Sequence, residues 1–152
     1  MEKKKIKEKT EEKNKLIIVI RIAGEVKIKK DIESTLYNLR LRRKYSAVLV
    51  NNEKELLGMI EKVKYFVAYG EINKEVLAKL IKARAKKIDK KNFNAEEIAE
   101  KLIEGENLKK LGFKPFFRLH PPRKGIKSKI QYPKGVLGNN KENINKLVER
   151  ML

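Results

Sequence analysis

The residues of this chain that could do chemistry are concentrated in two basic stretches, NLRLRRKY at residues 38–45 and RLHPPRKGIKSKIQYPKG at residues 118–135. In the first, Arg40, Arg42, Arg43 and Lys44 set four cations within five residues. A guanidinium is a planar fork of donors that pairs two-pronged with phosphate and stacks on flat bases. Three arginines so close together in a lysine-rich chain favour that geometry over bare positive charge. The competing reading is a charged helix end, where cations complement the helix dipole and the last carbonyls. In the second stretch Arg118, Arg123, Lys124, Lys127, Lys129 and Lys134 recur every few residues, while prolines hold the chain extended and glycines admit a close backbone. Cations so spaced can follow a phosphate backbone. Phe116, Phe117 and Tyr132 are candidates to stack on unpaired bases, against the alternative that Phe113, Phe116 and Phe117 plug the core under a long loop. Between residues 113 and 135 there are seven cations and no carboxylate, so residues 120–135 are expected to repel themselves and stay mobile until an anion neutralises them. Phe113 and Phe116 would tie only the beginning of that segment to the core.

His120 is the only histidine, and a general base needs a partner to orient it. The chain has no cysteine, and no carboxylate lies near His120 in the sequence, so its expected role is a hydrogen bond to phosphate, ribose or a loop carbonyl. There is no G-x-G-x-x-G, no P-loop, no H-E-x-x-H and no carboxylate pair between turn signals. No catalytic residue, no metal site, no cofactor and no small-molecule substrate is therefore expected.

Composition points the same way. At 152 residues the chain suits one domain, or a small core with an appendage, yet it carries a formal charge of +19. Solubility does not require so much charge, so a polyanionic partner is expected. A lysine-rich surface of a heat-adapted protein would explain the mixed Lys/Glu helices, but not a segment lacking glutamate. The longest apolar run, LIIVI at residues 16–20, is too short to span a bilayer and is preceded by charges, which leads us to expect a cytoplasmic protein with no membrane partner.

The elements that must position these residues can be read from periodicity. Residues 1–15, with one aliphatic, form a charged arm that cannot bury surface by itself. LIIVIRIAG (16–24), YSAVLVN (45–51) and YFVAYGEI (65–72) read as strands. Ile32, Leu36 and Leu39 mark a helix over residues 30–41, and Asn52 with Glu55 suggests a capping box opening a second helix through Leu56, Ile60 and Val63. The expected core, residues 16–72, is thus β-α-β-α-β: a three-stranded sheet with both helices on one face, in the α/β (α+β) class. A mostly helical, basic extension follows over residues 73–152. Asn73, Asn94 and Asn140 are expected to cap its helices, and residues 113–135 form its basic loop. Phe66, Ala68, Gly70 and Ile72 are read as packing against helices, with a base-stacking sheet as the weaker alternative.

LIIVIRIAG followed by LYNLRLRRKYSAVLVNNEKELLGMIEKVKYFVAYGEI resembles the universal large-subunit ribosomal protein family called L-thirty in bacteria and L-seven in eukaryotes. The run L-x-x-L-x-L-R-R and the segment LLGMIEKVKYFV carry that likeness, and the chain from Asn73 through PFFRLHPPRKG resembles the archaeal extension. The resemblance implies a structural constituent of the large ribosomal subunit without enzymatic activity. Its partners would be large-subunit rRNA, with 5S rRNA a candidate, and neighbouring ribosomal proteins. It carries over Arg21 with Ala23 and Gly24, then Arg40, Arg42 and Arg43, and then Gly58, Met59, Lys62 and Lys64. The arm, at 15 residues, is short beside the eukaryotic one. Rival readings are a free-standing RNA chaperone or RNA-processing subunit, and an RNA-directed enzyme that uses His120.

Overall fold

The structure is a computed structural model that describes residues 15–24, 26–88, 92–126 and 128–152; the expected arm, Lys15 apart, and the candidate Lys127 lie outside the described residues. The β-branched run builds β1 (Leu16–Arg21), and all six of its residues are buried. Such a run needs cover on both faces, and alternate side chains do divide between two cores. Ile18 and Ile20 pack on one side with Leu77, Leu80 and Val148, whereas Ile17 and Val19 pack on the other with Leu36 and Ile60.

The remaining elements follow in chain order: α1 (Lys30–Asn38), β2 (Ser46–Asn51), α2 (Lys54–Lys62), β3 (Val67–Glu71), α3 (Lys74–Arg84), α4 (Ala95–Ile103), β4 (Phe117–Arg118), β5 (Gly138–Asn139), a short 3-10 turn (Lys141–Asn143) and α5 (Ile144–Met151). Among the described residues the sheet has five strands in the order β4-β2-β1-β3-β5, which corrects the three-stranded expectation. β1 runs antiparallel to both neighbours, β2 and β3, and each edge is completed by a two-residue strand from the extension. Two-residue strands carry no readable alternation, so nothing in the sequence announced them. As expected, α1 and α2 share one face, since Leu36 and Ile60 both enter the second core cluster. The other face, which the β-α-β-α-β pattern left open, is covered by α3, α4 and α5 through Leu77, Ile98, Leu102, Ile144 and Val148. A base-stacking sheet surface is excluded by that cover.

Local expectations fared unevenly. Asn94 caps α4 by accepting from the Glu96 N–H, and Ile144, Leu147, Val148 and Met151 form the buried face of α5. The Asn52 and Glu55 box does not form, because α2 starts at Lys54 with Glu53 at the cap and no side-chain capping bond. Asn73 precedes α3 without capping it through its side chain; its backbone N–H donates 2.9 Å to Asn145 Oδ1, which pins α5 to the β3–α3 junction. Asn140 is buried and donates to the Val136 and Gly138 carbonyls, holding β5 and not a helix end. Gly70 is required by close approach: a Cβ there would press into the Lys141 carbonyl and the Ile144 side chain.

Candidate nucleic-acid interface

The first helix ends at Asn38, three residues short of the expected end, and the reason builds the site. The Arg40 N–H donates to the Tyr37 carbonyl at 3.0 Å and the Leu41 N–H to the Leu36 carbonyl at 2.9 Å, the bond pair of a Schellman stop. Leu36 and Leu41, the helical residue and the residue that follows the stop, meet in the same core cluster, as that motif favours. Arg40 therefore occupies the left-handed position usually given to glycine, with φ +63. L-x-x-L-x-L-R-R thus places leucines at the contacts of the stop and arginines where the chain turns outward.

Arg21 fixes the following loop from beneath. It is 2% exposed, its Nε donates to the Ala23 carbonyl at 3.0 Å, and its Nη1 donates to the Leu41 and Arg42 carbonyls at 2.8 and 2.9 Å. Arg21, expected to touch RNA, is instead buried, with Nε and Nη1 holding backbone carbonyls. Charge alone cannot reveal this, because a buried and an exposed arginine look alike in sequence. The Tyr45 N–H donates to the Arg21 carbonyl at 2.7 Å and the Ser46 N–H to the Arg43 carbonyl at 3.2 Å, so the loop is set before any ligand arrives.

On β4, Arg118 pairs with Ser46 and Phe117 with Ala47, which brings Arg118 of the basic loop beside the arginine loop. Arg40, Arg42, Arg43 and Arg118 line one groove of about 320 Å³ together with Ser46, Pro115 and Phe116. No carboxylate lines it, and ion pairs among the described residues, Lys15 with Glu71, Lys74 with Glu100 and Lys79 with Glu149, lie elsewhere. The Arg42 guanidinium stands 4.0 Å over the ring of Tyr37, an exposed residue that the sequence reading passed over. The Arg118 guanidinium lies 5.8 Å from the centre of the Phe116 ring. Phe116 is half-buried: it packs against the second core cluster, as expected of it, and also lines the groove. Phe117, at 1% exposure, is core and cannot stack on bases, and Phe113 is core as expected.

The registers place Lys44, Lys62 and Lys64 at the same end of the sheet, where β1 finishes and β2 and β3 start. Lys44 leads into β2, and Lys62 and Lys64 lead from α2 into β3; Lys44 and Lys62 are exposed and Lys64 half-buried. Gly58 is exposed on α2, while Met59 packs against the core. Residues 119–137 connect β4 to β5, the two opposite edges of the sheet, and the described ones among them are tied down at several points. The Leu119 N–H donates to Tyr45, the His120 N–H to Met151 and the Arg123 N–H to Arg150, each at a backbone carbonyl 2.9–3.0 Å away. Gln131 Nε2 reaches the Lys64 carbonyl at 3.3 Å. Arg150 returns the contact, with Nε and Nη2 donating to the Arg123 carbonyl at 3.0 and 2.9 Å and Nη2 also to the Gly125 carbonyl. Anchorage therefore extends well beyond Phe113 and Phe116, contrary to the expectation of a loose strap. A count of charges missed the anchors because Arg150 is 27 residues from Arg123. His120, Arg123, Lys124, Lys129 and Lys134 present exposed side chains along this segment.

Among the described residues no cluster of three His, Cys, Asp or Glu could hold a metal ion, and no helix is long and apolar enough to cross a membrane. The arrangement is suited to holding phosphates with pre-set donors.

The sequence model of the family described as Ribosomal protein L30p/L7e matches residues 17–67. The chain is 44% identical to the large ribosomal subunit protein uL30 of Ignicoccus hospitalis, an alignment covering 91% of this chain and 98% of that one. It is 40% identical to the uL30 protein of Archaeoglobus fulgidus, over 90% and 99% of the two chains, and 38% identical to that of Methanococcus maripaludis, over 88% and 97%.

Proposed function

The chain belongs to the Ribosomal protein L30p/L7e family, and from that premise we propose that the arginine groove and the basic end of the sheet are the surface with which it grips rRNA. It is a structural constituent of the large ribosomal subunit and not an enzyme, and it works in the cytoplasm as part of the ribosome, among rRNA and neighbouring ribosomal proteins. The observation that carries the proposed surface is the meeting of Arg40, Arg42, Arg43 and Arg118 in one groove lined by no acid. Like charges held together on a fixed backbone repel one another, and phosphate relieves that repulsion. Arg123, Lys124, Lys127, Lys129 and Lys134, with His120 as a donor, would extend the grip along the segment after β4. Lys44, Lys62 and Lys64 would extend it toward the middle of the sheet.

β4 and β5 are separated by three strands, roughly 19 Å at about 4.8 Å per step. That width supports contact with two RNA segments, and we propose 5S rRNA as the second.

Salt dependence tests the surface directly. If about seven phosphates are neutralised, log K for rRNA should fall with log salt at a slope of roughly 5 to 6, from about 0.7 to 0.9 per contact. Arg118→Ala should lower that slope by about one. A slope below about 2 would reduce the basic residues to a solvated surface. Co-sedimentation with large subunits after a high-salt wash separates a resident constituent from a free RNA chaperone.

A further inference from the structure

We infer that the groove between the arginine loop and β4 takes a single unpaired nucleotide, turned out of the rRNA, whose base stacks on Phe116 while its phosphates are held by Arg40, Arg42, Arg43 and Arg118. This rests on the proposed rRNA-binding surface and adds what that surface selects.

Three observations carry the inference. Size comes first: about 320 Å³ lies at the lower end of small-ligand pockets, room for one nucleotide and not for a helix. The lining is the second. A surface that only tracks duplex phosphates needs cations on a polar ground, yet here Pro115 and Phe116 put apolar surface among four guanidinium groups. An aromatic face next to cations is what an extruded base and its phosphates require, since stacking on an aromatic ring is sequence-tolerant and needs the base unpaired. Rigidity is the third. The backbone of Arg40 is set by the helix stop, that of Arg42 by Arg21, and that of Arg118 by pairing with Ser46, so the chain segments that carry the donors hold their spacing without RNA. A fixed pocket of that kind lowers the ordering cost of capture and discriminates between one unpaired nucleotide and none.

The test uses the full-length protein and two RNA hairpins that differ only by one nucleotide opposite the probe position. One carries a single bulged 2-aminopurine, and in the other that residue is paired. The bulged hairpin should bind on the order of tenfold tighter, with its fluorescence quenched as the base stacks. Phe116→Leu keeps apolar bulk and should abolish both the preference and the quenching; Phe116→Tyr should retain both. Equal affinity of the wild-type protein for the two hairpins overturns the nucleotide pocket alone and leaves the rRNA surface standing, and this comparison needs no variant to fold. Preference and quenching that persist in Phe116→Leu also overturn it. Failure to bind either hairpin overturns the pocket together with the surface on which it rests.

Discussion

Arg21 holds the backbone of Arg42: its buried Nη1 donates to the Arg42 carbonyl at 2.9 Å, so one arginine is spent inside the fold to aim another outward. Replacing Arg21 by Met should remove a charged donor from the Ala23, Leu41 and Arg42 carbonyls together. At roughly 1–3 kcal/mol for each carbonyl left unmet, a loss of about 3 kcal/mol or more in urea unfolding is expected. Affinity for rRNA should weaken while the salt slope stays unchanged, because no phosphate contact is deleted. A slope reduced by about one would show that Arg21 reaches phosphate itself.

Arg40 carries a conformational cost that only binding justifies. A non-glycine residue at φ +63 is strained by roughly 1 kcal/mol, whereas glycine is at ease there. Arg40→Gly should therefore leave thermal stability unchanged or raise it by up to about 1 kcal/mol, and should lower rRNA affinity. Replacing Arg40, Arg42 and Arg43 by lysine keeps the charge and removes the forks, and should cost at least about 1 kcal/mol of binding. If the glycine variant is destabilised, or the lysine variant binds like the wild type, the reading of this loop is wrong.

Arg150 clamps the turn at Arg123 and Gly125 through their carbonyls. The free protein should consequently resist trypsin at Arg123 and Lys124, and Arg150→Ala should be cut there several-fold faster with little change in global stability, since the clamp is exposed. Addition of rRNA should slow cleavage of both. Equal cleavage rates of the two free proteins would mean that residues 120–135 are loose after all, as charge repulsion alone predicts.

Tyr69 should titrate late. Burial raises its phenol above the ordinary 10.0, and the negative charge of Glu61 adds to the shift. The unfolded chain then releases this proton before the folded one does, so the contribution to stability is full below pH 10 and declines as pH rises through the folded value. Tyr69→Phe should remove the late component of the phenolate absorbance titration and flatten the alkaline loss of stability, and Glu61→Gln should move the midpoint down. An unchanged titration curve in Tyr69→Phe would contradict the assignment.

Much of this was legible in the amino-acid sequence because the signals are local. The run LIIVIR could only be a strand covered on both faces, and the 3.6-residue spacing of Ile144, Leu147, Val148 and Met151 fixed a buried helix face whatever it packed against. The excess of cations identified a polyanionic partner, since charge sums without reference to fold. Other features depend on which residues meet across long separations. Arg21 and Arg118 are equally basic on the page; one became a buried clamp under the loop and the other an exposed wall of the groove because β1 is central in the sheet and β4 is at its edge. Phe116 and Phe117 are adjacent and chemically alike, but opposite faces of an extended chain sent Phe117 fully into one core cluster and set Phe116 at the margin of the other, where it also lines the groove. The anchors of residues 119–137 come from α5 and from the loops before β2 and β3, partners that no local pattern specifies. Burial and hydrogen bonding are properties of the packed chain, and they turned a list of cations into a site.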